Sequence, residues 1–138
     1  MRFADTNVLL YAASTAPDEV PKASVAREIL EAEDIALSVQ VLQEFYVQAT
    51  RASRSQRLSH GQATALIEAF CRFPVQEITV PLMRAALDTG ERYGISYWDA
   101  AILEAARAIG CPIVLSEDLA DGQDYGGVIV RNPFTTAA

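Results

Sequence analysis

The chain has 138 residues, 51% of them hydrophobic and 21% charged, which suits one compact domain and excludes a disordered chain. Its formal net charge of -7 excludes a grip on nucleic acid through bulk electrostatics, so an anionic substrate would need a bound cation or a local basic patch. Cys71 and Cys111 show neither metal-ligand nor framework spacing, which reads as two buried thiols in a reducing compartment. No basic run precedes a long apolar segment at the start, and no window approaches the ~20 apolar residues of a membrane span. A cytoplasmic protein, 1–138 as a single domain, is expected.

The opening run Phe3-Ala4-Asp5-Thr6-Asn7-Val8-Leu9-Leu10-Tyr11 sets one carboxylate inside an apolar stretch. A buried carboxylate is costly without partners. Residues 2 to 5 predict a strand, Asp5-Thr6-Asn7 supplies capping side chains, and Val8 to Ala13 reads as a short helical turn. Asp5 would then arrive at the carboxyl end of a strand, where open α/β sheets place their ligand sites.

Pro21 opens a helix to about Glu33 with Val25, Ile29 and Leu30 on one face. Ile35-Ala36-Leu37-Ser38 predicts a buried strand, and Ser38 caps a helix from Val39 to about Arg51. At 100° per residue, Val41, Leu42, Phe45 and Ala49 form its apolar stripe and Glu44 falls at the edge, able to look into a cleft or simply out to water. Arg51, Arg54 and Arg57 recur every three residues around a Ser-rich bend, a candidate phosphate-contacting patch or a solvated face. Ser59-His60-Gly61-Gln62 is a capping box for a helix through Ala63, Leu66, Ile67 and Phe70, which gives His60, the only histidine, a structural or exposed place in its first turn.

Val75 to Ile78 alternates as a strand, and a helix from Pro81 to about Tyr93 ends on Gly94. Ser96 and Asp99 begin a helix reaching about Ile109. Asp99 there either caps a backbone N–H or faces a cleft. Pro112 to Ser116 is a short apolar strand ending in Ser116-Glu117-Asp118, the same arrangement as at Asp5. The loop from Asp121 to Gly127 leads to a last strand, Val128 to Val130, and Asn132-Pro133-Phe134 is a turn. Strands alternating with helices imply an α/β/α layered domain with a mostly parallel sheet.

If Asp5, Glu44, Asp99 and Asp118 converge, one pair about 4 Å apart repels by roughly 4 kcal/mol at an effective dielectric near 20. Either some protonate or a cation binds. Oxygen donors without His or Cys suit Mg²⁺ or Mn²⁺, which can activate a water and stabilise the leaving oxygen of a phosphodiester.

The motifs that carry these acids, Asp5-Thr6-Asn7-Val8-Leu9-Leu10-Tyr11, Val41-Leu42-Gln43-Glu44-Phe45, Tyr97-Trp98-Asp99-Ala100-Ala101 and Leu115-Ser116-Glu117-Asp118-Leu119 followed by Asn132-Pro133-Phe134, resemble the ordered motifs of PIN-domain ribonucleases. Within that family the chain is most similar to the VapC-like toxins of toxin-antitoxin pairs. The resemblance implies a three-layer α/β/α sandwich and Mg²⁺- or Mn²⁺-dependent cleavage of RNA. It also implies a homodimer and a cognate antitoxin. By the same resemblance Asp5, Glu44, Asp99 and Asp118 are the metal-binding and catalytic acids, with Thr6 and Ser116 as hydroxyl neighbours and Glu117 or Asp121 as alternatives in the fourth position. Two rivals are a non-catalytic interaction protein on the same fold and an aspartyl-phosphate phosphoryl-transfer domain. The latter normally needs a lysine late in the chain, whereas the only lysine is Lys22.

Overall fold

In the computed structural model residues 1–135 are described; 136–138 of the expected domain lie outside the described residues. The first strand, β1 (Arg2–Ala4), is followed at once by α1 (Thr6–Ala13), because Asp5 turns extended and accepts the Thr6 N–H with its side chain. A 3-10 turn, Pro17–Glu19, precedes α2 (Val20–Glu31); then come β2 (Ile35–Ser38) and α3 (Val39–Ala49). The Ser38 hydroxyl caps α3 by accepting the Val41 N–H at 3.2 Å. After a bend, α4 (His60–Phe70) starts on the Ser59–Gln62 capping box, both halves of which are made.

The second half comprises β3 (Val75–Gln76), α5 (Val80–Tyr93), α6 (Tyr97–Ala108), β4 (Ile113–Leu115), β5 (Asp124–Tyr125) and β6 (Val128–Arg131). Three expectations change here. The strand expected over Val75 to Ile78 stops at Gln76, since Glu77 and Ile78 are exposed and leave the sheet. The loop before the last strand contains β5, which turns back antiparallel onto β6 through Gly126 and Gly127, both at positive φ. Cys111 is buried as expected, but Cys71 is exposed because it caps the C-terminus of α4 at the surface.

The six strands run β3-β2-β1-β4-β6-β5, all neighbouring pairs parallel except β5 with β6. The chain therefore steps one way from β1 to β2 and β3, then crosses to build β4 and β6 on the other side. Right-handed crossovers put α1 to α4 on one face and the α5–α6 pair on the opposite one, with α6 lying across β2, β3, β4 and β6. This is the expected three-layer α/β/α sandwich. Both sheet faces are covered, which is why β1 and β2 read as continuous apolar runs: Phe3, Ala4, Ile35, Ala36 and Leu37 are wholly buried.

Two small-residue features set α6 and hence Asp99. Gly90 of α5 stands where a Cβ would come within 3.3 Å of the Ile95 carbonyl and 3.7 Å of the Ala100 Cβ, and Ala86, Ala100 and Ala101 fill the contact between the helices. Gly94 ends α5 in the left-handed region at φ 65°, a conformation that costs a side chain about 1 kcal/mol. Among the described residues no helix is long and apolar enough to cross a membrane.

Phe45 is wholly buried on α3 and meets Phe70 of α4 edge-to-face at 5.3 Å. Phe45→Ala is expected to lower unfolding free energy by about 3–5 kcal/mol in urea titrations, and Gly94→Ala by about 1 kcal/mol.

Candidate functional site

The strand order reverses at β1, and the crevice outside the carboxyl ends of β1 and β4 is where such sheets bind ligands. Asp5 follows β1 directly and Ser116 follows β4. The two strand ends are joined by the Asp5 N–H donating to the Leu115 carbonyl at 3.0 Å and by the Ser116 hydroxyl donating to Asp5 Oδ2 at 2.8 Å. Asp5 Oδ1 accepts the Thr6 N–H at 2.7 Å, so each carboxylate oxygen of this buried acid has one donor and keeps a lone pair free.

Glu44 reaches the same region from α3. Its Oε2 accepts from the Thr6 hydroxyl at 2.8 Å and its Oε1 from Gln40 Nε2 at 3.0 Å. Gln40 also donates to the Trp98 carbonyl at 3.1 Å, which ties α3 to the residue before Asp99. Asp118 stands at the exposed lip, its N–H on Ser116 Oγ and its Oδ2 accepting from Asn7 Nδ2 at 3.2 Å. Ser96 Oγ accepts the Asp99 N–H at 3.1 Å, whereas the Asp99 carboxylate accepts no return bond from the Ser96 N–H. The half-buried Asp99 side chain is therefore not spent on closing a capping box.

The charges of Glu44 and Asp118 bear on both Asp5 and Asp99. Burial, with a smaller contribution from the charges of Glu44 and Asp118, pushes the Asp5 carboxyl up to about 6 against the pull of Ser116 and Thr6. Burial also raises Asp99, with Asp118 and Glu44 adding to the effect while Ser96 opposes it. Even so, among the described residues no three His, Cys, Asp or Glu side chains stand close enough, as placed, to hold a metal ion. Each of Asp5, Glu44 and Asp118 is drawn onto a neutral donor of the protein instead. In chemistry the set fits a hard divalent cation: all four are oxygen donors, and burial, helped by like charge, favours protonation of two of them. Asn7 supplies a further oxygen, for its Oδ1 is buried without a hydrogen-bond partner. Flipping that amide would turn Oδ1 toward the Asp118 carboxylate and is not a remedy.

The two alternatives for the fourth acid are engaged elsewhere. Glu117 pairs with Lys22 Nζ at 2.9 Å and accepts from the Tyr11 hydroxyl; burial works against its charge, but these two donors hold it below the usual carboxylate range. Asp121 accepts the Asn132 N–H at 2.8 Å and braces the turn after β6. Lys22 thus reaches the rim of the crevice, but its ammonium is committed to Glu117 and Tyr11. His60 is exposed, its Nδ1 3.0 Å from the Tyr46 hydroxyl, and lies outside the acid group. Sequence reading passed over Asn7 and Gln40. Gln40 had a signal, since it lies four residues before Glu44 on one helix face; the link from Asn7 to Asp118 spans 111 residues and had none.

Together the layers and the crevice define an α/β domain with acidic side chains around the switch point of a mostly parallel sheet. The chain belongs to the PIN domain family, whose model matches residues 2–120. No curated protein matches it in sequence. Among solved structures it is similar to a toxin-antitoxin complex from Klebsiella pneumoniae, at 20% identity and TM-score 0.69 over 96% of this chain and 98% of that one. It is also similar to VapC20 of Mycobacterium tuberculosis, described as a sarcin-ricin loop cleaving toxin, at 20% identity and TM-score 0.68 over 96% and 100%. FitAcB from Neisseria gonorrhoeae matches at 19% identity and TM-score 0.61 over 99% and 100%. At these identities the likeness is one of fold.

The raised Asp5 carboxyl has a consequence for stability in metal-free protein. Between the unfolded value of 3.8 and about 6 the native state keeps a proton that the unfolded chain has lost, so this group's contribution falls as pH rises through that window and is level above it. Asp5→Asn, which keeps the cap, is expected to gain about 2–3 kcal/mol over the parent on going from pH 4 to pH 7, read from urea midpoints at both pH values.

Proposed function

We propose that the chain acts as a single PIN domain, in the cytoplasm, as the toxin of a toxin-antitoxin pair: an endoribonuclease dependent on Mg²⁺ or Mn²⁺. The observation that carries this reading is the buried Asp5 carboxylate at the end of β1, each oxygen of which keeps a lone pair free; burial chiefly, and the charges of Glu44 and Asp118 in lesser part, raise it as they raise half-buried Asp99, which favours a cation in the crevice. The toxin-antitoxin complex and the sarcin-ricin loop cleaving toxin among its structural relatives support the substrate class and an antitoxin partner, and the family resemblance supports a homodimer.

Asp5, Asp99 and Asp118, with Glu44, would hold the ion. When bound, it neutralises phosphodiester charge and makes a water acidic enough to attack. The protein's own residues prepare that chemistry. Ser116 and the Thr6 N–H fix Asp5 at the floor, so that its carboxylate is aimed without an entropic cost at the moment of reaction. Thr6 and Gln40 hold both oxygens of Glu44, leaving lone pairs to accept a proton from an attacking water. Asn7 steadies Asp118 at the exposed lip, where an RNA strand can enter.

An RNA pool incubated with purified protein, freed of any antitoxin, in Mg²⁺ or Mn²⁺ against EDTA, tests the reading. Cuts are expected only with the cation, and Asp5→Asn and Asp99→Asn should each slow them at least about 100-fold. Mg²⁺ should also raise the parent's melting temperature at pH 7 and leave that of Asp5→Asn nearly unchanged. Cation-independent cuts, or cuts that persist in both variants, would refute it. A folded protein that binds an antitoxin but cuts nothing would favour the non-catalytic rival.

A further inference from the structure

Beside the acids lies a cavity of about 210 Å³, lined by Asn7 and Asp118 together with Tyr11, Gln48 and Arg54. A second, of about 200 Å³, has an apolar floor of Leu10, Ala13, Ala49 and Leu58 and polar walls that include Ser55. Leu10, Glu19 and Arg54 line both cavities, so the two form one groove leading away from the acidic site. Arg54 is the only lysine or arginine in either lining. It sits half-buried in the bend between α3 and α4, held through its backbone N–H on the Arg51 carbonyl at 3.0 Å. Among the described residues its guanidinium makes no ion pair.

The surroundings make that free charge informative. Asp18, Glu19, Glu117 and Asp118 also line the groove, and the whole chain carries -7. Glu117 is neutralised by Lys22, and Glu19 is occupied by the Ser14 hydroxyl at 2.6 Å. An anion can lie along this groove only where Arg54 offsets its charge, and a forked guanidinium suits phosphate oxygens better than a point charge does. An acidic protein segment would need several such sites, whereas one phosphate needs one.

We propose that Arg54 is a positioning residue that binds the backbone phosphate of a nucleotide next to the scissile bond, with that nucleotide's sugar seated over the Leu10–Ala49 floor. The proposal rests on the nuclease reading above. It turns the middle member of the Arg51, Arg54, Arg57 series into the substrate contact and leaves Arg57, which lines neither cavity, out of it.

The test compares parent, Arg54→Ala, Arg54→Lys and Arg57→Ala on two probes in Mg²⁺: a short fluorescein-labelled random-sequence RNA pool and bis(p-nitrophenyl) phosphate, a diester with a single phosphate. Arg54→Ala is expected to raise KM for the RNA about 5-fold with kcat within about 2-fold, and to flatten the salt dependence of RNA binding by about one phosphate contact. Arg54→Lys should recover most of the loss, Arg57→Ala should match the parent, and every variant should hydrolyse the small diester alike. Arg54→Met, which keeps the bulk of the stem, replaces Arg54→Ala if that variant melts early. Unchanged RNA kinetics in Arg54→Ala, an equal loss in Arg57→Ala, or a parallel loss on the small diester would each overturn the proposal. So would weakened binding of an acidic protein partner with RNA kinetics intact. A parent inactive on both probes would instead sink the nuclease reading beneath it.

Discussion

The hydrogen bond from the Ser116 hydroxyl to Asp5 Oδ2 is the contact on which the site rests. A carboxylate as buried as Asp5 is tolerable only with donors on both oxygens, and the two it has come from the ends of β1 and β4. The same Ser116 oxygen receives the Asp118 N–H, and the Ser116 N–H in turn bonds the Arg131 carbonyl at the end of β6. One wholly buried serine thus fixes Asp5 and sets the path of the Asp118 loop through its hydroxyl, and ties the end of β6 in through its N–H. Removing it would leave a charge facing a gap.

Around that contact the protein keeps four like charges near one another without letting them touch. Thr6 and Gln40 hold Glu44, Asn7 holds Asp118, and the close approach of α5 to α6 at Gly90 sets the start of the helix that bears Asp99. The neutral donors take up carboxylate oxygens that would otherwise face one another. Such an arrangement costs folding free energy, as the raised Asp5 carboxyl records. It persists because the sheet on either side is continuous apolar packing from Phe3 through Val114 to Val130.

Local chemistry made much of the fold legible. Ser38, the Ser59–Gln62 box and Gly94 act within one helical turn of themselves, so their reading survives folding unchanged. Glu44 was placed at the edge of the α3 stripe by helical geometry alone, and there it stands, half-buried beside wholly buried Phe45. What escaped depends on partners far along the chain. β5 exists only because β6 pairs with it across two glycines, and β3 is short because nothing holds Ile78 to the sheet. The pairing of Lys22 with Glu117, 95 residues apart, decides that Asp118 rather than its neighbour faces Asn7, and no local pattern announces it.

The reach of these contacts bears on when the site comes into being. Asp5 leaves the ribosome well before its hydroxyl partner, which is 111 residues downstream, and β4 must still find its place between β1 and β6. Glu44 and Asp99 emerge in between, each on a helix that can form early. Until β4 and the Ser116–Asp118 turn have been made, a growing chain displays its acids separately and has no crevice to bring them together. Whatever the crevice does, a chain that ends short of Asp118 cannot do it, so synthesis itself sets a delay between the emergence of Asp5 and the completed crevice.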